Sequence, residues 1–221
     1  MITVKINGEE RQYPQGATYE DVANDYQKEY DNLIALAARD GKIRELFKKL
    51  TRDCEITFFT LKDDVGNKTY VRSATMLFLK AVFDVFGRET VQNCRVEFAI
   101  GNGSYISPKG KINATEENAA KIRNRMRELV EAKTPFLKKS YSLDNAMELF
   151  QREGMKDKEK LFRYRRGSFV NIYEMDGYYD YYYGYMLPNA GYVKWFDVIA
   201  YEDGFMLLLP DKKDPTHVKP F

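Results

Sequence analysis

The stretch 73–86, SATMLFLKAVFDVF, constrains this chain of 221 residues more than any other. Its apolar side chains fall almost all round a helix instead of along one stripe. That predicts a central helix packed on every side and closed by Gly87. Such a helix needs a shell, and the rest of the chain has the pattern of one. From Gly167 onward the pattern switches to period two, over 168–173, 178–183, 192–199 and 204–209, as half-buried strands require. The expectation is an α+β fold with a late antiparallel sheet.

Two units are expected. In the first, residues 1–63, Ile2–Ile6 alternates, Asn7-Gly8 signals a hairpin turn and Arg11–Tyr13 returns. Thr18, with Asp21 three residues on, caps a helix running to about Lys28. Leu33–Ala38 reads as a buried strand turned by Asp40-Gly41, and Cys54–Thr60 as another. A β-grasp arrangement, a sheet with one helix across it, accounts for this order. The second unit, 68–221, opens with the apolar helix. Strands over 94–100 and 104–107 flank the turn Gly101-Asn-Gly103. Thr115 caps an amphipathic helix to about Ala132, and Ser142 caps another that ends near Gly154. No repeat or low-complexity linker separates the units, so close packing is expected.

Composition excludes several function classes. The formal charge of +2 gives no bulk electrostatic argument for nucleic acid, so any such binding needs a local patch. No apolar run reaches the roughly 18 residues that span a bilayer. The start, MITVKINGEE, has strand alternation instead of a signal-peptide pattern, and Cys54 and Cys94 make no disulfide framework. The expected location is therefore the cytoplasm, with no membrane partner. The one histidine, His217, lies in the tail, and no metal site is expected. No G-x-x-x-x-G-K-[ST] phosphate loop occurs: Gly110-Lys111 is followed by Ile112. The outlier is tyrosine, 17 in all, many of them between 164 and 201.

The segment from Gly16 to Gly66, with its Gly16–Val22 helix start, Ala37–Leu46 hairpin and Asp53–Gly66 finish, resembles a TGS domain. That resemblance implies a docking or regulatory module without catalytic residues. The second unit resembles the editing-type domain that follows TGS in threonyl-tRNA synthetase. There a His-x-x-x-His helix and a later Cys-x-x-x-His segment form a hydrolytic pocket. The resemblance puts Arg72 and Met76 at the two helix positions, and Tyr182 and Met186 at the later pair. All four ligand types are replaced. A thioether is no general base and guanidinium stays protonated, so hydrolysis and metal binding are not expected. The phrases FLKAVFDVFG, IGNGSYIS and DGYYDYYYGYMLPNAGYVKWFDVIAYEDGFMLLLP resemble the N-terminal region of bacterial uridine-kinase-like proteins. This implies a regulatory region whose partner is a downstream kinase domain of the same polypeptide. ATP and magnesium would serve only that domain, and no catalytic site or cofactor is expected in this chain.

Two sets of candidate residues follow. A ligand pocket is expected between the face of the apolar helix and the 182–189 segment, from Arg72, Met76, Lys80, Tyr182, Met186 and Asn189. Arg72 and Lys80 flank Met76 by one turn each and suit an anion such as a nucleotide phosphate. The bland reading is that both reach solvent over apolar neighbours. Contacts to RNA are expected from Arg163, Arg165 and Arg166 around Phe162 and Tyr164, and from Lys121 and Arg125 on the long helix. Interleaved glutamates make solvated helix faces the competing account. The alternative function is accordingly a free-standing tRNA- or RNA-binding protein related to the N-terminal region of threonyl-tRNA synthetase.

Overall fold

A computed structural model describes residues 1–165 and 167–221 of the chain. The first hairpin follows from its turn. β1 (Ile2–Ile6) and β2 (Glu9–Tyr13) pair antiparallel, with Ile6 opposite Glu9. Asn7 takes the left-handed φ of 50° that a two-residue hairpin turn requires. Alternation puts Ile2, Val4 and Ile6 into one apolar cluster with Tyr19, Val22 and Tyr26 of α1 (Tyr19–Tyr26). Thr18 caps α1 as its sequence predicts: its hydroxyl accepts from Asp21 N, and its own N–H donates to the Asp21 carboxylate at 2.7 Å. β3 (Ile34–Arg39), β4 (Lys42–Glu45) and β5 (Cys54–Thr60) complete a sheet of order β2-β1-β5-β3-β4. β1 and β5 run parallel at its centre, and every other pair is antiparallel.

The central helix α2 spans Asp64–Phe86, so it starts earlier than its apolar stretch suggests. Its first turns are polar, and they pass close over the end of β5. A β-carbon on Gly66 would lie 2.0 Å from the Thr60 carbonyl oxygen, so only glycine lets the two backbones approach there. Beyond it Tyr70, Ala74, Leu77, Phe78, Ala81 and Val82 are buried in the largest cluster of the molecule. Tyr70 ties the helix to the later chain, donating to Trp195 O at 2.7 Å and accepting from Trp195 N at 2.8 Å.

Around α2 lie α3 (Arg88–Asn93), β6 (Arg95–Ile100), β7 (Gly103–Ser107) and α4 (Glu116–Glu131). They are followed by β8 (Leu137–Ser142), α5 (Leu143–Arg152), α6 (Lys156–Phe162), β9 (Phe169–Met175) and β10 (Tyr178–Asp180). A short 3-10 helix (Ala190–Tyr192), β11 (Asp197–Tyr201) and β12 (Gly204–Leu208) finish the fold. The strands form two sheets, β10-β9-β8 and β11-β12-β7-β6, all with antiparallel neighbours. The α+β class is as expected. Among the described residues no helix is long and apolar enough to cross a membrane.

Two expected strands differ. Residues 178–183 pair only as far as Asp180, and of 192–199 only the end enters β11. The cause is visible in the chain between them. Its backbone groups from Gly184 to Leu187 bond to side chains instead of a neighbouring strand. That segment is where the candidate site lies.

A candidate site beside a sealed segment

Four consecutive residues are clamped between α2 and the first sheet. The Gly184 carbonyl lies 3.0 Å from the Tyr173 hydroxyl on β9. The Tyr185 carbonyl accepts from Arg72 Nη1 at 2.6 Å. Met186 N donates to Glu45 Oε1 at 3.1 Å, and Leu187 N donates to Ser73 Oγ at 2.9 Å. Gly184 is required: at φ +133° it lies against the Arg72 guanidinium, whose Cζ would be 2.5 Å from an added β-carbon.

Glu45, only 3% exposed, is the pivot. It comes from the end of β4, yet its carboxylate meets the Tyr173 hydroxyl, Met186 N and, at 2.9 Å, Lys138 Nζ of β8. A buried carboxylate with three donors is compensated, and losing it strands all three. Burial pushes the Tyr173 phenol far above its ordinary range, and the Glu45 charge adds to this. Burial lowers the Arg72 guanidinium, against the opposing pull of Tyr173 and Glu45.

Arg72, Met76 and Met186 are therefore brought together, and protein atoms fill the space between them. Met76 and Met186 are fully buried, and Met186 Sδ lies 3.9 Å from Ser73 Oγ. Lys80 is also buried, but its ammonium is held by Asp84 Oδ1 at 2.7 Å and Asp176 O at 2.6 Å, at the β9–β10 turn. Asn189 caps the 3-10 helix through Gly191 N at 3.0 Å, and its amide faces Glu20 at 3.4 Å. It stands apart from the α2 face.

Tyr182 is different, because it opens on a cavity of about 290 Å³ next to the clamp. Leu79 and Phe83 of α2, with Val91 and Cys94, give it apolar lining, beside Thr75, whose hydroxyl donates to Val71 O at 2.8 Å. One wall is β10 and the residues after it, and the opposite wall is the start of α6. Asp180, buried, accepts from Tyr181 N at 2.7 Å, faces the Tyr178 hydroxyl at 3.3 Å, and pairs with Lys158 at 3.2 Å. Burial raises its carboxyl above the usual range, and Lys158 offsets part of that rise. Burial acts to lower the Lys158 ammonium, but the Asp180 and Asp157 charges outweigh it and the net shift is upward. Arg88 is likewise spoken for, 2.5 Å from Glu153. Burial, with the charge of the neighbouring Asp180 carboxylate, pushes the Tyr182 phenol well above its ordinary range. Its hydroxyl is buried and has no hydrogen-bond partner among the described residues. An orphaned hydroxyl of this kind costs about 1–3 kcal/mol unless a water or ligand meets it.

The expected RNA contacts fall elsewhere. Lys121 pairs with Glu117 at 2.7 Å, and Arg125 bridges Asp84 and Glu128 at 2.8 and 2.7 Å. Arg165 lies over the Phe162 ring, 5.0 Å from its centroid, and donates to the Tyr181 hydroxyl at 3.1 Å. Arg163 is exposed, and Arg166 lies outside the described residues. The Glu45 clamp had no signal in the sequence, since Lys42–Glu45 reads as an ordinary polar strand. An aspartate inside the run Tyr178-Tyr-Asp-Tyr-Tyr-Tyr183 was a signal, and it marks the cavity wall.

Among the described residues no three histidine, cysteine, aspartate or glutamate side chains are grouped to hold a metal. No protein-family profile matches the chain. It is 29% identical over 204 residues to the threonine–tRNA ligase of Thermotoga petrophila, covering 90% of this chain and 30% of that protein. It is 28% identical over 193 residues to that of Maricaulis maris, covering 86% and 30%. For Carboxydothermus hydrogenoformans the figures are 25% over 201 residues, 90% and 31%. The chain thus spans about 30% of the length of the curated relatives it matches. These relatives support the likeness to the threonyl-tRNA synthetase N-terminal region. They lend nothing to the uridine-kinase likeness.

Proposed function

We propose that this chain binds RNA bearing a tRNA-like acceptor end, taking one nucleoside-sized group into the cavity beside Tyr182, and does not hydrolyse it. The observation that carries this reading is the cavity with its orphaned, buried hydroxyl, in a chain whose relatives are named as tRNA ligases. Aromatic walls suit a base, since each base–aromatic contact contributes about 1–3 kcal/mol. The Tyr182 hydroxyl supplies one directional hydrogen bond, and Lys158 between Asp157 and Asp180 forms a polar edge.

The absence of hydrolysis follows from donor chemistry. Met76 and Met186 present thioethers, Arg72 is tied to the Tyr185 carbonyl, and Glu45 is saturated with donors. None of these takes a proton from water. The Asp180 carboxyl is ion-paired with Lys158 and serves to hold Tyr181 and Tyr178 in place.

The test is anisotropy of labelled deacylated tRNA across a salt series, with and without its single-stranded 3′ terminus. Tight binding that weakens when the terminus is removed is the expected result, together with no release of amino acid from a mischarged tRNA. Equal affinity for the truncated RNA would remove the cavity from the reading, and measurable amino-acid release would replace it with a hydrolase.

A further inference from the structure

A second recess lies on another side of the molecule, where the first sheet meets the end of α4. It encloses about 580 Å³ between Phe47–Lys49 on one side and 133–139 with Pro188-Asn189 on the other. Five lysines line it: Lys48, Lys49, Lys133, Lys138 and Lys139. Among the described residues Glu20 is the one carboxylate of its lining, and Glu20 faces the Asn189 amide. Lys138 and Lys139 are committed to Glu45 and Glu174 at 2.9 and 2.8 Å. Lys48, Lys49 and Lys133 are exposed and make no ion pair among the described residues.

Lys133 is the informative one. It follows Ala132, the C-cap of α4, at φ +49°. Its N–H donates to Val130 O at 3.0 Å and Thr134 N donates to Leu129 O at 3.1 Å, the closure that usually has glycine in Lys133's place. Among the described residues the other five non-glycine residues with positive φ lie in tight turns: Asn7, Asp40, Lys109, Asp176 and Glu202. Here a long cationic side chain occupies a left-handed helix end, and room is made for it. The Lys133 stem crosses Gly191, where an added β-carbon would be 2.9 Å from Lys133 Cγ. Glycine would take this left-handed backbone without the cost that a lysine side chain adds. The closure satisfies the Leu129 and Val130 carbonyls at the end of α4, and Lys133 lines the recess.

We propose that this recess holds the sugar–phosphate backbone of an RNA strand, with linked phosphates bridging Lys48 and Lys49, just after β4, to Lys133, just after α4. Lysines on opposite rims suit an extended polyanion better than a single phosphate. The apolar floor, from Phe47, Pro135 and Pro188, suits sugar and base faces. The site goes beyond the cavity at Tyr182, but its partner rests on the RNA reading of that cavity.

Three proteins test it: the wild type, the combined variant Lys48→Ala, Lys49→Ala, Lys133→Gly, and a charge-matched control with Lys5, Lys62 and Lys212 changed to alanine. Each is titrated with labelled deacylated tRNA across salt, with inorganic tripolyphosphate as competitor. The recess variant is expected to lose about tenfold or more in affinity. Its plot of log affinity against log salt should flatten by about 2, while the control keeps its slope. Tripolyphosphate should compete with RNA on the wild type. Lys133→Gly alone should raise the unfolding temperature while weakening RNA binding, a split that a merely structural lysine would not give. Unchanged RNA affinity in the recess variant overturns the inference and leaves the cavity reading standing. Lysine-dependent tripolyphosphate binding without RNA binding overturns the RNA partner in both. A wild type that binds neither probe overturns the site itself.

Discussion

Glu45 and Asp180 are both buried carboxylates paired with a lysine, and they sit on neighbouring sides of the same chain segment. Around Glu45 both carboxylate oxygens are engaged, by the Tyr173 hydroxyl, Met186 N and the Lys138 ammonium. Around Asp180 the groups are also satisfied, but a cavity adjoins them and the Tyr182 hydroxyl is spare. The difference separates architecture from capacity. A saturated polar network fixes backbone, whereas a network with one orphaned group beside open volume has something left to offer a ligand.

The largest effect is expected at the sealed side. Glu45→Ala strands the Tyr173 hydroxyl, Met186 N–H and the Lys138 ammonium, and should cost about 3–5 kcal/mol in denaturant unfolding. A loss below about 1 kcal/mol would mean the carboxylate is dispensable and the contrast with Asp180 false. Gly184→Ala drives a β-carbon into the Arg72 guanidinium at a left-handed φ, and should cost about 1–3 kcal/mol. Its thermal midpoint, compared with that of Gly177→Ala in an open turn, isolates the clash from the backbone strain.

On the open side the expected effects on folding are small. Tyr182→Phe removes an unpaired hydroxyl, so stability should stay within about 1 kcal/mol of wild type or rise, while RNA affinity falls. A strongly destabilised Phe variant would show that the hydroxyl is not orphaned. Smallest of all, Cys94 in the cavity floor has its thiol pushed up to about 12 by burial. Its thiolate fraction therefore rises about tenfold per pH unit from neutrality upward, from a very low start. Iodoacetamide at pH 8 should label half-buried Cys54 first, and mass spectrometry of the two peptides would check it.

Much of the fold was legible because its signals are local. Asn7-Gly8 makes the first turn, Thr18 with Asp21 caps α1, Thr115 and Ser142 cap α4 and α5, and the apolar run marks α2. β8, Leu-Lys-Lys-Ser-Tyr-Ser, escaped because its alternation is polar on both sides, and its strand character comes from pairing with β9. The early start of α2 escaped because residues 64–72 carry no apolar periodicity and are held by contact with β5. The site divides in the same way. The grouping of Arg72, Met76, Tyr182 and Met186 came from the resemblance to the editing-type domain, and neither residue types nor spacing pointed to the partners that seal it, Glu45 and Ser73.

The sequence by itself determined the helix that must be buried and the turns that reverse the chain. Those are properties of single residues and short spacings. Only the tertiary structure decided that Glu45, far away in the chain, closes the segment from Gly184 to Leu187. It likewise decided that a cavity survives beside Tyr182, and that lysines from two parts of the chain face one recess. Hydrogen-bond saturation and empty volume are sums over neighbours brought from distant positions, so no local pattern encodes them.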